Sequence, residues 1–163
     1  MGLKEDLEDW LRGYSRLVIL GVGNPLRGDD ALGVMIIREL RGKVPRGVRL
    51  IEGGIMPENF IGKIRRFRPS HILLIDAARF GGRVGDARLI KPEHISGVAI
   101  STHSMPLSIL IELICAGTKA KIALLGIEPK NTDFGEEVSL EVREAIKGSA
   151  KLIAEVLSQL GGG

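Results

Sequence analysis

Along this chain, short continuous apolar runs alternate with longer stretches whose apolar positions recur every three or four residues. "RLVILGVG", "VRLIEGG", "HILLIDAA", "GVAISTH" and "KIALLGIEP" are of the first kind. All five predict strands, "RLVILGVG" a buried one, and the continuous apolar content of "HILLIDAA" predicts a strand covered on both faces. "ALGVMIIREL", "PENFIGKIRRF" with Pro57 in its first turn, and "PLSILIELICAG" between Pro106 and Gly117 are of the second kind and predict helices. A last helix carries Val138, Val142, Ala145, Ile146, Ser149, Ile153, Val156, Leu157 and Leu160 on one stripe before "GGG". Leu3, Leu7, Trp10, Leu11 and Tyr14 predict a short amphipathic helix at the start.

Strand and helix alternate without a repeat, linker or low-complexity tract. That order predicts one three-layer α/β/α domain over residues 1–163, around a mostly parallel twisted sheet of about five strands. Residues 1–15 form a helical extension packed on it, and Ala87–Ile90 a short edge or antiparallel strand.

Composition narrows the function classes. The chain has 163 residues, 44% hydrophobic and 26% charged, enough for a buried core and unlike a disordered chain. Its net charge of +3 is too small to point to nucleic acid. The densest basic stretch, "KIRRFRPS", reads as solvated cations at a helix C-terminus. No apolar run reaches the roughly 18 residues of a membrane span, and no signal peptide is evident, so a cytoplasmic protein is expected. Cys115, the single cysteine, lies in an apolar helix and reads as a structural thiol. His71 and His94 read as packing or surface residues.

In open parallel sheets, ligands bind beyond the carboxyl ends of the strands. By this reading the first strand ends in a loop with Asp29 and Asp30, the second at Glu52, the third at Asp76 and the fourth at His103. Two Asp and a His suit a divalent metal with open coordination positions. The plainer alternatives are that Asp29 and Asp30 cap the next helix and that Asp76 caps its loop. A division of labour, with Asp29 capping or bracing the loop and Asp30 facing the site, reconciles the two.

The loop "GVGNPLRGDD" also tempts a nucleotide reading, with Glu52 as the ribose-binding acid. Leu26, however, stands where the dinucleotide fingerprint needs its third glycine, and Pro25 removes a backbone donor. A serine hydrolase built from Ser101 or Ser104, His103 and Asp76 lacks the G-x-S-x-G elbow.

"GVGNPLRGDDALGV", "EGGIMPENF", "LLIDAARFGGRVGDARLI" and "STHSMPLSILIE" follow one another in an order and spacing that resembles the nickel–iron hydrogenase maturation endopeptidases, in the branch serving formate-hydrogenlyase-type hydrogenases. The resemblance runs from about Arg16 to the final helix. It departs at Gly53-Gly54-Ile55, where many relatives carry Thr after the glycine pair.

The resemblance implies an aspartic-type protease that removes the C-terminal extension of a hydrogenase large-subunit precursor after nickel insertion. The nickel, carried by the substrate and bound transiently by the enzyme, is met by Asp30, Asp76 and His103. The same three residues are the expected catalytic set, with Asp30 or Asp76 as base for water. The expected partner is the nickel-loaded precursor, with the enzyme a monomer. A non-catalytic checkpoint protein that binds the loaded precursor through the same residues is the alternative from another class.

Overall fold

The structure, a computed structural model, describes residues 2–100 and 105–161. The helices are α1 (Leu3–Leu11), α2 (Leu32–Leu40), α3 (Ile61–Phe67), α4 (Leu107–Cys115) and α5 (Leu140–Leu160). The strands are β1 (Leu17–Val22), β2 (Val48–Gly54), β3 (His71–Arg79), β4 (Ala87–Ile90), β5 (Ala99–Ile100) and β6 (Lys121–Ile127).

The sheet has the order β2-β1-β3-β6-β4. Parallel pairing joins β1 to β2 and β3, and β3 to β6; β4 runs antiparallel to β6. This is the expected α/β architecture with a mostly parallel sheet. Two-residue β5 is an appendage, paired antiparallel to the end of β3 through Ala78–Ile100 and Arg79–Ala99.

Strand side chains point alternately to the two faces, and both faces are covered. Leu17, Ile19, Leu73, Ile75, Leu125 and Ile127 meet α1, α2 and α5. Val18, Leu20, Ile72, Leu74, Ile122 and Leu124 meet α3, α4 and the 3-10 segment Pro92–Gly97. Hence the unbroken apolar runs in the sequence.

Crossover handedness divides the helices between the faces. From β1 the chain steps to β2 through α2, then returns across β1 to β3 through α3. Right-handed crossovers in opposite directions must lie on opposite faces. Loops therefore part between β1 and β3, which makes the carboxyl end of this strand pair the natural crevice of the fold.

The N-terminal segment docks as a helix. Leu7 and Leu11 of α1 are fully buried against the α5 face. Two such side chains contribute about 3–6 kcal/mol, enough to hold a nine-residue helix that would not persist alone.

Several boundaries differ from the sequence pattern. A 3-10 turn, Gly28–Ala31, precedes α2, and another, Pro57–Phe60, precedes α3. Strand β3 continues to Arg79, so Asp76 lies within it, paired opposite Gly126, and does not cap a loop. Of "GVAISTH", only Ala99–Ile100 is strand among the described residues, and it is antiparallel. Val138 precedes α5, whose N-cap is Ser139. No helix among the described residues is long and apolar enough to cross a membrane.

Candidate active site

Two glycines set the β1–α2 junction. A β-carbon on Gly21 would stand 2.3 Å from the Gly33 carbonyl oxygen; one on Gly33 would stand 2.4 Å from the carbonyl oxygens of both Val22 and Ile75. The start of α2 thus rests directly on the ends of β1 and β3, closer than any side chain permits. The 3-10 turn with Asp29 and Asp30, one turn earlier, packs against β3. Gly33 was not singled out from the sequence, although "ALGV" places it one helical turn after the acids.

Asp30 and Asp76 are both buried at this edge. Asp30 Oδ2 accepts the Asn24 N–H at 2.8 Å, and its own N–H donates to the Arg27 carbonyl at 2.9 Å. Gly23, at φ +131°, folds so closely over the turn that a β-carbon there would lie 2.0 Å from the Asp30 carbonyl oxygen. Asp76 Oδ1 accepts the N–H of Ala77 at 2.8 Å. By strand alternation Asp76 shares the face of Ile72 and Leu74, above the α3–α4 core. Each carboxylate is thus buried with at least one backbone donor, as a buried charge requires. His103, the third expected residue, lies outside the described residues.

Asp29 performs a different task from its neighbour. It is fully buried and caps no helix: α2 has Ala31 at its N-cap with no side-chain hydrogen bond. Its Oδ2 accepts the N–H groups of Lys130 (2.8 Å) and Asn131 (3.1 Å) and the Ser139 hydroxyl (2.9 Å). Its Oδ1 accepts the Ser139 N–H at 2.7 Å. The Asp29 N–H in turn donates to the Asn131 carbonyl at 2.8 Å. Asp29 therefore zips the β1–α2 loop to the β6–α5 loop; of the two roles expected of it, capping or bracing, bracing is the one observed.

A fourth buried carboxylate escaped the sequence reading. Glu128, just past β6, accepts the N–H groups of Phe80 (3.0 Å) and Gly82 (2.9 Å) through Oε1 and fixes the turn after β3. The criterion that selected Asp76, an acid near the end of an apolar run, applies equally to "GIEP".

The remaining candidates have structural occupations. Glu52 is engaged by Arg38 of α2 and by Arg41 just beyond its end, so it is not held out toward a ribose. His71 opens β3 at the opposite edge, buried edge-on against Trp10 with ring centroids 5.1 Å apart, and its Nδ1 lies 2.9 Å from Ser70 Oγ. Burial, then the nearby Lys121 charge, hold its imidazole below the usual range, against a smaller opposing effect of the Trp10 backbone. It is a packing residue, as read. Cys115 is half-buried, and burial raises its thiol above the ordinary value, so it is a poor nucleophile.

Among the described residues, no three His, Cys, Asp or Glu side chains gather closely enough to hold a metal ion. What the described edge offers is a partial donor set of two carboxylates beside a glycine-rich loop. Such an edge suits an extended peptide: carboxylates can take a proton from water, and glycines let a second backbone approach.

Fold and acids together describe an α/β protein with two buried carboxylates at the open edge of a mostly parallel sheet. The HycI hydrogenase maturation protease profile matches residues 34–156. A relative in Methanocaldococcus jannaschii is 35% identical, over 94% of this chain and 98% of its own. The hydrogenase 3 maturation protease of Escherichia coli K12 is 32% identical, over 80% of this chain and 83% of its own. The crystal structure of a [NiFe] hydrogenase maturation protease, HycI, from Thermococcus kodakarensis is 40% identical and superposes with a TM-score of 0.86, covering 94% of this chain and 99% of that one. The chain belongs to the HycI hydrogenase maturation protease family. It is accordingly an endopeptidase of hydrogenase maturation that cleaves a large-subunit precursor.

Proposed function

We propose that this endopeptidase removes the C-terminal extension of the precursor only after nickel insertion, reading the substrate-borne nickel with Asp30, Asp76 and His103. The observation that carries the reading is the pair of buried acids, one in the turn after β1 and one in the neighbouring strand β3, at the point where the loops of the parallel sheet part. The backbone of Ile100, three residues before His103 in sequence, is paired with Ala78, two residues beyond Asp76. That pairing supports counting His103 with the two acids.

The substrate's nickel brings a positive charge to an edge that holds two carboxylates. Loaded precursor gains two anionic ligands and a histidine. Unloaded precursor brings no metal for these residues to bind and gains none of those contacts. Selectivity is then a difference in binding, which needs no tight metal cage in the enzyme.

Hydrolysis follows with the groups at hand. One of the two carboxylates takes a proton from water as its oxygen bonds to the scissile carbonyl carbon. The C–N bond breaks, and the proton passes to the leaving amine. Backbone N–H groups of the glycine-rich turns are the donors available to the developing oxyanion. We further propose that residues 1–163 act as one cytoplasmic, monomeric domain, with residues 1–15 as a helical extension.

The test is affinity for the precursor, loaded and unloaded, for the unaltered enzyme and for Asp30→Asn, Asp76→Asn and His103→Ala. The proposal expects preference for loaded precursor in the unaltered enzyme and a loss of that preference in each variant. Retained preference in all three would overturn it.

A further inference from the structure

Two apolar side chains near the buried acids are exposed without a folding reason. Leu26 is 62% exposed in the β1–α2 loop, four residues before Asp30, and Phe134 is 71% exposed in the β6–α5 loop. The two loops are joined at that point by the Gly135 N–H donating to the Leu26 carbonyl at 2.9 Å.

Both loops are held firmly. Besides the Asp29 bonds, Arg27 Nε donates to the Thr132 carbonyl (3.2 Å), and Asn24 Oδ1 accepts the Leu26 N–H (2.9 Å). Asn131 Oδ1 accepts the Asp133 N–H at 2.8 Å. A β-carbon on Gly28, at φ +50°, would stand 2.5 Å from the Asn131 carbonyl oxygen, so the loops lie in direct contact. Rigid backbone that presents large apolar side chains to water is the economy of a binding surface, since little freedom is lost when they are covered. Isolated exposed apolar residues are ordinary. Two on neighbouring, mutually clamped loops beside the acids are not explained by that base level.

Resting on the function proposed above, we infer that Leu26 and Phe134 form the docking platform for an apolar surface of the large-subunit precursor. A scissile segment reaching Asp30 from outside passes the loop that carries Leu26, so the platform is continuous with the cleavage edge. A folded precursor thereby gains contact area that its tail alone does not supply. Asp29 fixes the platform and the Asp30 turn together, so docking and cleavage are held in register.

The experiment measures direct binding and cleavage of each nickel-loaded large-subunit precursor of the source organism. The proteins compared are the unaltered enzyme, Leu26→Asp, Phe134→Asp, the milder Leu26→Ser and Phe134→Ser, and the remote control Leu160→Asp. Circular dichroism and a thermal melt accompany each variant. Each Asp variant is expected to weaken binding and raise KM about tenfold, as for truncation of an interface anchor, with kcat within about twofold. The Ser variants should be weakened less and the control unchanged. Unchanged affinity and KM in folded Leu26 and Phe134 variants, beside an active unaltered enzyme, would overturn the platform and leave the proposed function standing. An unaltered enzyme that binds but does not cleave would sink the proposed function, while the affinities still decide the platform. No binding by the unaltered enzyme would overturn both.

Discussion

Asp29 and Ser139, 110 positions apart, are joined twice: one carboxylate oxygen accepts the serine N–H at 2.7 Å, the other its hydroxyl at 2.9 Å. The bond pair fastens the start of α5 to the loop that carries Asp30. Asp29→Ala leaves the N–H groups of Ser139, Lys130 and Asn131 without their acceptor. A loss of about 3 kcal/mol or more is expected, read as a lower urea midpoint with unchanged slope. A shift within about 0.5 kcal/mol would deny the clamp its structural weight.

Asp30→Asn and Asp76→Asn keep the size of each side chain and an oxygen for the local backbone donor. Both variants should fold and melt close to the unaltered protein. Processing of the precursor should fall by about 100-fold or more, the scale of lost acid–base participation. Near-normal turnover in either variant would remove that acid from the chemistry.

Gly33→Ala would drive a methyl group against the carbonyl oxygens of Val22 and Ile75. Backbone cannot yield there as a flexible side chain does. We expect about 2–3 kcal/mol of destabilisation, together with reduced cleavage because the Asp30 turn is lifted from β3. Gly148→Ala on α5, where an added β-carbon meets no atom within 4 Å, should be neutral or stabilising by comparison.

His71 supplies a pH dependence of known sign. Its folded-state pKa lies below the ordinary 6.5, so between the two values the unfolded chain binds more protons than the folded one. Stability therefore holds above pH 6.5 and falls as pH drops below it. His71→Gln should remove that component, giving a shallower loss than the unaltered protein in urea unfolding between pH 7.5 and 5. Parallel curves would show that His71 contributes none of the dependence.

The sheet was legible because strands buried on both faces carry unbroken apolar stretches, as "LVIL" in β1 and "ILLI" in β3 are. The boundaries were not, because they depend on long-range pairing. Asp76 looks like a loop cap in sequence, yet pairing with β6 and then with β5 carries the strand three residues past it. Asp29 and Asp30 are chemically identical neighbours. Only the return of residues 130–139 to the first loop assigns one to bracing. Glu128 was missed for the same reason, since its partners, Phe80 and Gly82, lie more than forty positions away. Asp30 and Asp76 could be placed at one end of the sheet from sequence because strand ends of a parallel sheet share one edge whatever the details of the loops.

The most direct measurement is intact-mass analysis of the large-subunit precursor, nickel-loaded and nickel-free, incubated with a substoichiometric amount of the enzyme. The account predicts loss of a single C-terminal peptide from the loaded precursor alone, in excess of the enzyme present. Equal cleavage of the nickel-free precursor would contradict recognition of the metal by Asp30, Asp76 and His103.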